Sequence, residues 1–398
     1  MAKKKRHHRQ KHNALCTAAD ILDERNFREA VTEELKRTQE REKVERNPGK
    51  ATKFREYLQG VTLEAFVKEV CEPGYRISPY TTAEIPKGDG RTRRIYMLDD
   101  PRDRLLERMI YQTLVPICEK NFSESSYAYR PHRGIAELVK SIEAQTCDLN
   151  YALKVDITKF FDSLDHNILR ENLKKWLHPD NGAEKLIELF LNPRYRVKPQ
   201  GSNCWQTNKM SVGVPQGSIL APLFANVYGT AIDRRMETVG KTKYTRYADD
   251  ILIIAADVES LNMAKANLME ALKEIKLKAN PEKIRQGCLH ELVFLGVRFS
   301  EKDSRARIPA ERFRMKMQSF MEGSEDKYGQ KMEGLLNYYA YLSQEMLDDE
   351  EIIKVIMAEC GEYAPLVLEL VEGIRRKNSN KSRTSDSEVG RNYPATTM

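Results

Sequence analysis

At 398 residues the chain is long enough for two or three packed subdomains around a substantial core. Lys plus Arg number 66 against 59 Asp plus Glu, an excess of +7 that by itself identifies no polyanionic partner, and no apolar run approaches the ~20 residues a membrane helix needs. The seven cysteines form no C-x-x-C pair, which argues against a zinc ribbon or a disulfide framework and for reduced thiols in a cytoplasmic protein.

The chain opens on MAKKKRHHRQKH, six Lys or Arg without an acid, a basic end suited both to phosphate contact and to free solvation. No apolar segment follows it, so a secretory signal is not expected. Residues 13–45 carry a broken apolar stripe (Leu15, Ala18, Ala19, Leu22, Phe27, Ala30, Val31, Leu35) that predicts a helix, interrupted at Arg46-Asn-Pro-Gly49. A short helix is predicted over Thr62–Val70, then a β-hairpin with strands Thr82–Pro86 and Arg93–Leu98 around Lys87-Gly-Asp-Gly90. A long helix follows over Arg102–Cys118. Tyr151-Ala-Leu-Lys-Val-Asp156 alternates as a strand, with Asp156 on the face opposite Tyr151, Leu153 and Val155. An amphipathic helix with Ile168, Leu169, Leu173, Trp176 and Leu177 comes next, then a helix over Ser218–Met236. Strands Lys243–Tyr247 and Ile251–Ala255 flank Ala248-Asp249-Asp250. A helix carrying Leu261, Ala264, Leu268, Leu272 and Ile275 leads to a last strand pair near Leu292–Phe299. This order predicts a split β-α-β sheet with helices on one face. Residues 310–370 read as helical with breaks near Gly323 and Gly329, and the polar C-terminal end carries no apolar period.

Asp156 ends one strand and Asp249-Asp250 fill a turn between two others. If these strands are sheet neighbours, three carboxylates converge, and their repulsion calls for cations. Mg²⁺ suits such oxygen donors, and a pair of ions ~4 Å apart serves in-line phosphoryl displacement. An Asp-Asp pair in a turn is by itself ordinary turn chemistry, so the surrounding motifs decide.

Tyr247-Ala-Asp-Asp250, preceded by Tyr244-Thr-Arg246, resembles the Y-x-D-D hairpin of reverse transcriptases. Lys154-Val-Asp-Ile-Thr-Lys-Phe-Phe-Asp162 resembles their first palm motif, and Gly213-Val-Pro-Gln-Gly-Ser-Ile-Leu-Ala-Pro222 their P-Q-G loop and helix. Ser126-Tyr-Ala-Tyr-Arg-Pro-His-Arg-Gly134 and Arg102-Asp-Arg104 resemble fingers motifs; Asn280-Pro-Glu-Lys283 and Phe294-Leu-Gly296 resemble the elements that close the palm. These follow one another in family order. Among subgroups the likeness is to bacterial group II intron and group II-like enzymes, including those of antiviral defence loci, and Leu336-Asn-Tyr-Tyr339 resembles their thumb element. Ala221 stands where the family has Ser, and no zinc endonuclease motif follows the thumb, which argues against intron mobility.

The resemblance implies an α+β right-hand polymerase: a basic flexible N-terminus (1–12), a helical extension (13–75), fingers (76–150), a ferredoxin-like palm with finger insertions (151–300), a helical thumb (301–370) and a disordered tail (371–398). It implies an RNA-directed DNA polymerase with two Mg²⁺ ions, Mn²⁺ being a substitute, bound by Asp156, Ile157, Asp249 and Asp250, with Lys283 as proton donor. Phe161 becomes the ring that excludes a 2′-hydroxyl. Lys87, Arg94, Gln216 and Gly217 become nucleotide contacts, and Tyr127, Arg130 and Arg133 template contacts. The expected partners are dNTPs, an RNA template (a structured non-coding RNA in a stand-alone defence enzyme), its cDNA product, and no membrane; self-association and an accessory protein stay open. The alternatives are an RNA-dependent RNA polymerase, disfavoured by Phe161, and a maturase-like RNA-binding protein, disfavoured by the intact acids.

Overall fold

The computed structural model describes residues 15–42, 48–86, 92–144, 150–179, 182–199, 201, 204–303, 305–321, 328–342, 347 and 350–384. In chain order the helices are α1 (Ala18–Ile21), α2 (Glu24–Glu42), α3 (Pro48–Gly60), α4 (Leu63–Val70), α5 (Pro101–Glu119), α6 (Ile135–Glu143), α7 (His166–Lys174), α8 (Ala183–Leu191), α9 (Leu220–Met236), α10 (Val258–Glu274), α11 (Ala310–Met321), α12 (Tyr328–Leu342), α13 (Glu350–Glu359) and α14 (Ala364–Thr384). The strands are β1 (Tyr80–Pro86), β2 (Thr92–Met97), β3 (Tyr151–Asp156), β4 (Arg194–Val197), β5 (Gln206–Lys209), β6 (Thr242–Tyr247), β7 (Asp250–Ala255), β8 (Arg285–Cys288), β9 (Val293–Phe294), β10 (Val297–Phe299) and β11 (Ala306–Arg307). Among the described residues no helix is long and apolar enough to cross a membrane.

The central sheet has the order β6-β7-β3-β8, antiparallel throughout. Strand β7 of the β6–β7 hairpin lies against β3, so β3 and β6, which the intervening helices separate in sequence, are kept one strand apart. That is the split β-α-β arrangement of a ferredoxin-like palm. Alternation along β3 and β7 divides the side chains between two cores. Leu153, Val155, Ile251 and Ile253 join the cluster built on α9 and α10, whereas Ala152, Leu252 and Ile254 join Phe294, Phe313 and Leu336 on the other side. Because both faces are covered, β7 reads Ile-Leu-Ile-Ile instead of alternating with polar residues.

The fourth palm strand corrects the sequence reading. It is β8, Arg285–Cys288, an edge strand without apolar alternation, while residues 292–299 form β9 and β10 in a separate sheet of order β11-β10-β9. The fingers sheet, β2-β1-β4-β5, adds the β4–β5 hairpin to the predicted β1–β2 hairpin. α5 begins where Asp100 caps the amides of Arg102 and Asp103 and Pro101 takes the first turn, where its missing N–H costs nothing. α2 and α3 pack on α5. There the buried Glu34 carboxylate receives Arg104 at 2.7 Å and Arg108 at 2.8 Å, joining the N-terminal extension to the fingers. The Pro48-Gly49 pair begins a helix rather than ending one.

The C-terminal helices close on Phe313, Met317, Met332, Leu336, Ile352, Ile356 and Val367, all fully buried. Disorder from residue 371 is also corrected: Val371 and Ile374 remain buried, and α14 runs on to Thr384. The basic residues 1–12 lie outside the described residues.

Candidate active site

Asp156 is the last residue of β3 and stands opposite Asp250, the first residue of β7. The Ile157 amide donates to the Asp249 carbonyl at 2.9 Å, which brings the third acid to the same sheet edge. Ile157 itself is buried, so an aliphatic side chain leaves only its main-chain oxygen for a cation. Burial is the larger reason that Asp249 is pushed up to about 6, and the Asp250 and Asp156 charges add to it. Burial also raises Asp250, against the pull of Lys154. The nearest relief is Lys283, whose Nζ lies 2.8 Å from Asp156 Oδ2. Asn280 accompanies it, its amide donating to the Asp156 carbonyl at 2.8 Å and its Nδ2 lying 3.5 Å from Oδ1. The Asp156 hydrogen bond holds the half-exposed Lys283 ammonium above its usual value. Three hard oxygen donors, incompletely neutralised and held on rigid strands, fit divalent cations.

A second charged cluster fixes the turn from beneath. Arg246 is fully buried, and its fork grips Asp233 of α9 through Nε–Oδ1 at 2.7 Å and Nη2–Oδ2 at 2.6 Å. The same guanidinium donates to Ser126 Oγ at 3.1 Å, Asn226 Oδ1 at 3.3 Å and the carbonyl of Ala248 at 3.2 Å. Ala248 has φ 56°, a left-handed conformation unfavourable to alanine, and that last bond stabilises it one residue before Asp249. Gly229 makes the room, because a Cβ there would lie 2.6 Å from Arg246 Cζ. Sequence reading singled out Arg246 only as a motif letter. Its partners Asp233, Asn226 and Ser126 sit on other elements, and no local spacing reveals them.

The P-Q-G loop is locked to its surroundings. Val214 donates to the Phe161 carbonyl at 2.8 Å, and Gln216 accepts from the Tyr96 amide at 2.7 Å. Gly217, at φ 120°, approaches β2 so closely that a Cβ would meet the Tyr96 carbonyl oxygen at 2.4 Å. This close approach is made to the fingers strand. Gln216 Nε2 reaches Asp162 Oδ1 at 3.1 Å. Phe160 is buried, whereas the partly exposed Phe161 stands between it and Tyr129. Arg94 is exposed on β2, 3.6 Å from its cross-strand neighbour Glu84, and Lys87 lies outside the described residues.

Two of the expected template contacts, Tyr127 and Arg130, are corrected. Arg130 is buried, paired with Glu119 and donating to the carbonyls of Ser123 and Ser126 at 2.6 and 2.7 Å. Tyr127 is buried beneath Arg133, which is itself bound to Glu124. The three hold the 123–133 segment together, because arginines surrounded by free carbonyls satisfy these before reaching solvent. The exposed aromatic residue of the motif is Tyr129.

The family model described as reverse transcriptase (RNA-dependent DNA polymerase) matches residues 85–299, just over half of the chain. Protein YkfC of Escherichia coli is 23% identical over 287 residues, 62% of this chain and 73% of its own length. The group II intron-encoded protein LtrA of Lactococcus lactis is 28% identical over 174 residues, covering 43% of this chain and 28% of LtrA. The Retron Ec48 reverse transcriptase of Escherichia coli is 28% identical over 187 residues, covering 44% and 40%. The chain thus spans well under two thirds of these intron-encoded and retron relatives. Telomerase from Candida albicans superposes with a TM-score of 0.50 at 13% identity over 82% of this chain and 67% of that one, a likeness of fold alone.

Proposed function

Because the chain belongs to the reverse transcriptase family, and its members are RNA-directed DNA polymerases that depend on divalent metal ions, we propose that Asp156, Asp249 and Asp250 are its metal-binding catalytic residues. The observation that carries this is the register of β3 on β7, which sets Asp156 against Asp250 with Asp249 beside them. Two Mg²⁺ ions, replaceable by Mn²⁺, would supply the Lewis acidity that an entering 3′-hydroxyl and a departing pyrophosphate need. Lys283 remains protonated at neutral pH beside Asp156 and gives a proton to the pyrophosphate oxygen as its bond to phosphorus breaks. Phe161 fills the space of a 2′-hydroxyl and favours deoxynucleotides. Arg94 and Lys87 bind the triphosphate in this reading, because guanidinium geometry and an ammonium charge suit phosphate oxygens. Gln216 and Gly217 contact the nucleotide from beside the fingers strand, to which the Gln216 carbonyl is bonded.

The template is RNA, in accord with the family, and in our reading a structured non-coding RNA held by a bacterial enzyme of antiviral defence. Its length and charge require many phosphate contacts, so binding weakens steeply with salt. Primer extension on an RNA template, with dNTPs or NTPs, tests the reading against an Asp249→Ala control. It expects dNTP incorporation by the natural chain alone. Equal use of ribonucleotides would make the protein an RNA polymerase, and RNA binding without synthesis would make it a maturase-like binder. Sequencing the co-purified nucleic acid tests the defence reading, which predicts one enriched RNA with its cDNA; random cellular RNA contradicts it.

A further inference from the structure

Tyr129 sits at φ 59°, a left-handed conformation that bulky aromatic residues adopt only where their surroundings impose it. The constraints lie on both sides of it. The Tyr127 amide donates to the Arg246 carbonyl at 3.0 Å, Asn226 Nδ2 donates to the Ala128 carbonyl at 2.7 Å, and the Arg130 guanidinium ties down Ser123 and Ser126. Ala128 and Arg130 are buried, yet Tyr129 between them is 52% exposed. What it meets is Phe161, edge to face at 6.0 Å between centroids and 81° between planes. Phe161 meets Phe160 at 5.9 Å and 70°. One neighbour comes from the palm core and the other from the fingers segment.

A ring rejects a hydroxyl only if it cannot turn aside, because the extra oxygen is small and a free aromatic side chain has other rotamers within easy reach. Phe160 blocks one escape. We infer that Tyr129 blocks the other: it is a positioning residue for sugar selection, holding Phe161 in the place where a 2′-hydroxyl would go. The inference rests on the reading of Phe161 as the sugar gate. It adds that the selectivity belongs to a pair of rings, one on each side of the palm–fingers junction. The edge-to-face contact needs the tyrosine ring and not its hydroxyl.

The test is the ratio of kcat/KM for a dNTP to that for the matching NTP, measured on the natural chain, Phe161→Ala, Tyr129→Phe, Tyr129→Ala and the double alanine variant. A ratio taken on one preparation is insensitive to partial misfolding, because the same active molecules use both substrates. Phe161→Ala should lower the ratio most, Tyr129→Ala should lower it by about tenfold, and Tyr129→Phe should keep it. The double variant should select no worse than Phe161→Ala, since a support has nothing to hold once the ring is gone. A Tyr129→Ala ratio equal to that of the natural chain, beside a relaxed Phe161→Ala, overturns the inference and leaves the gate standing. A Tyr129 effect that adds in full to that of Phe161→Ala overturns it as well, because the two residues would then act separately. An unchanged ratio in Phe161→Ala removes the gate itself and the inference with it.

Discussion

Two clusters of charge flank the turn between β6 and β7, and they are finished differently. Around Asp233 every charge has a partner: the Arg246 fork covers both carboxylate oxygens, the Tyr244 hydroxyl donates to Oδ1 at 2.8 Å, and nothing there reaches solvent. Around Asp156, Asp249 and Asp250 the compensation is partial, resting on the half-exposed Lys283 at Asp156 and on the pull of Lys154 at Asp250. The first cluster fixes where the turn lies. The second, a few residues away, keeps unspent charge for something that arrives from outside. Complete internal compensation marks structure, and incomplete compensation on a rigid frame marks chemistry.

The strongest way to break the comparison is Arg246→Ala. It leaves Asp233 buried without a counter-charge, a loss of about 3–5 kcal/mol of folding stability, seen as a lowered denaturant midpoint. Joint replacement by Arg246→Met and Asp233→Leu should return part of that stability, because no unpaired charge remains although Ser126, Asn226, Tyr244 and the Ala248 carbonyl lose a partner. An unaltered midpoint in Arg246→Ala would mean that the pair is not the support described here.

Lys283→Ala probes the other side. Its ion pair is solvent-exposed on the lysine side and adds little to stability, so the unfolding midpoint should hardly move. The rate of nucleotide addition should fall by about 10²-fold, as for loss of a general acid, with the KM for dNTP largely kept. A fall in stability with an unchanged rate would reverse the two roles.

The smallest effect sharpens the rule for a lone acid. Glu107 is buried and pushed up to about 7 by desolvation, against hydrogen bonds from Ser218 and Tyr80. An unfolded glutamate titrates near 4.5, so between these values the folded chain binds the additional proton. Stability should therefore fall as pH rises through that window, by no more than about 1.4 kcal/mol per pH unit. Glu107→Gln should flatten this slope in urea titrations taken at several pH values. A slope unchanged by the substitution would show that Glu107 is already ionised when folded.

Much of the palm is legible in the residues because its strands are long and apolar and its acids stand at strand ends. Asp156 ends an alternating run and Asp249-Asp250 fill a two-strand turn, so local pattern places them and the surrounding motifs single them out from ordinary turn residues. β8 is not legible in this way: Arg285-Gln-Gly-Cys288 has no apolar face, being an edge strand, and the apolar residues 292–299 attracted the assignment. The β4–β5 hairpin is hidden for the same reason, since Gln206–Lys209 is exposed throughout. Arg130 looks like a nucleic-acid contact because composition cannot tell a solvated guanidinium from one turned inward onto carbonyls. Arg246, Gly229 and Asp233 make the converse case. Their meaning lies in contacts between α9 and β6, and only the folded chain brings those together.

The central claim is that the edge formed by β3 and β7 binds divalent cations through its acids. Mn²⁺ binding, followed by the loss of the free-ion paramagnetic resonance signal in the presence of a primed template and dNTP, tests it on the natural chain and on Asp249→Asn. Tight Mn²⁺ uptake by the natural chain, lost together with DNA synthesis in the variant while the fold stays intact, is the expected result. Undiminished uptake and synthesis in Asp249→Asn would contradict it.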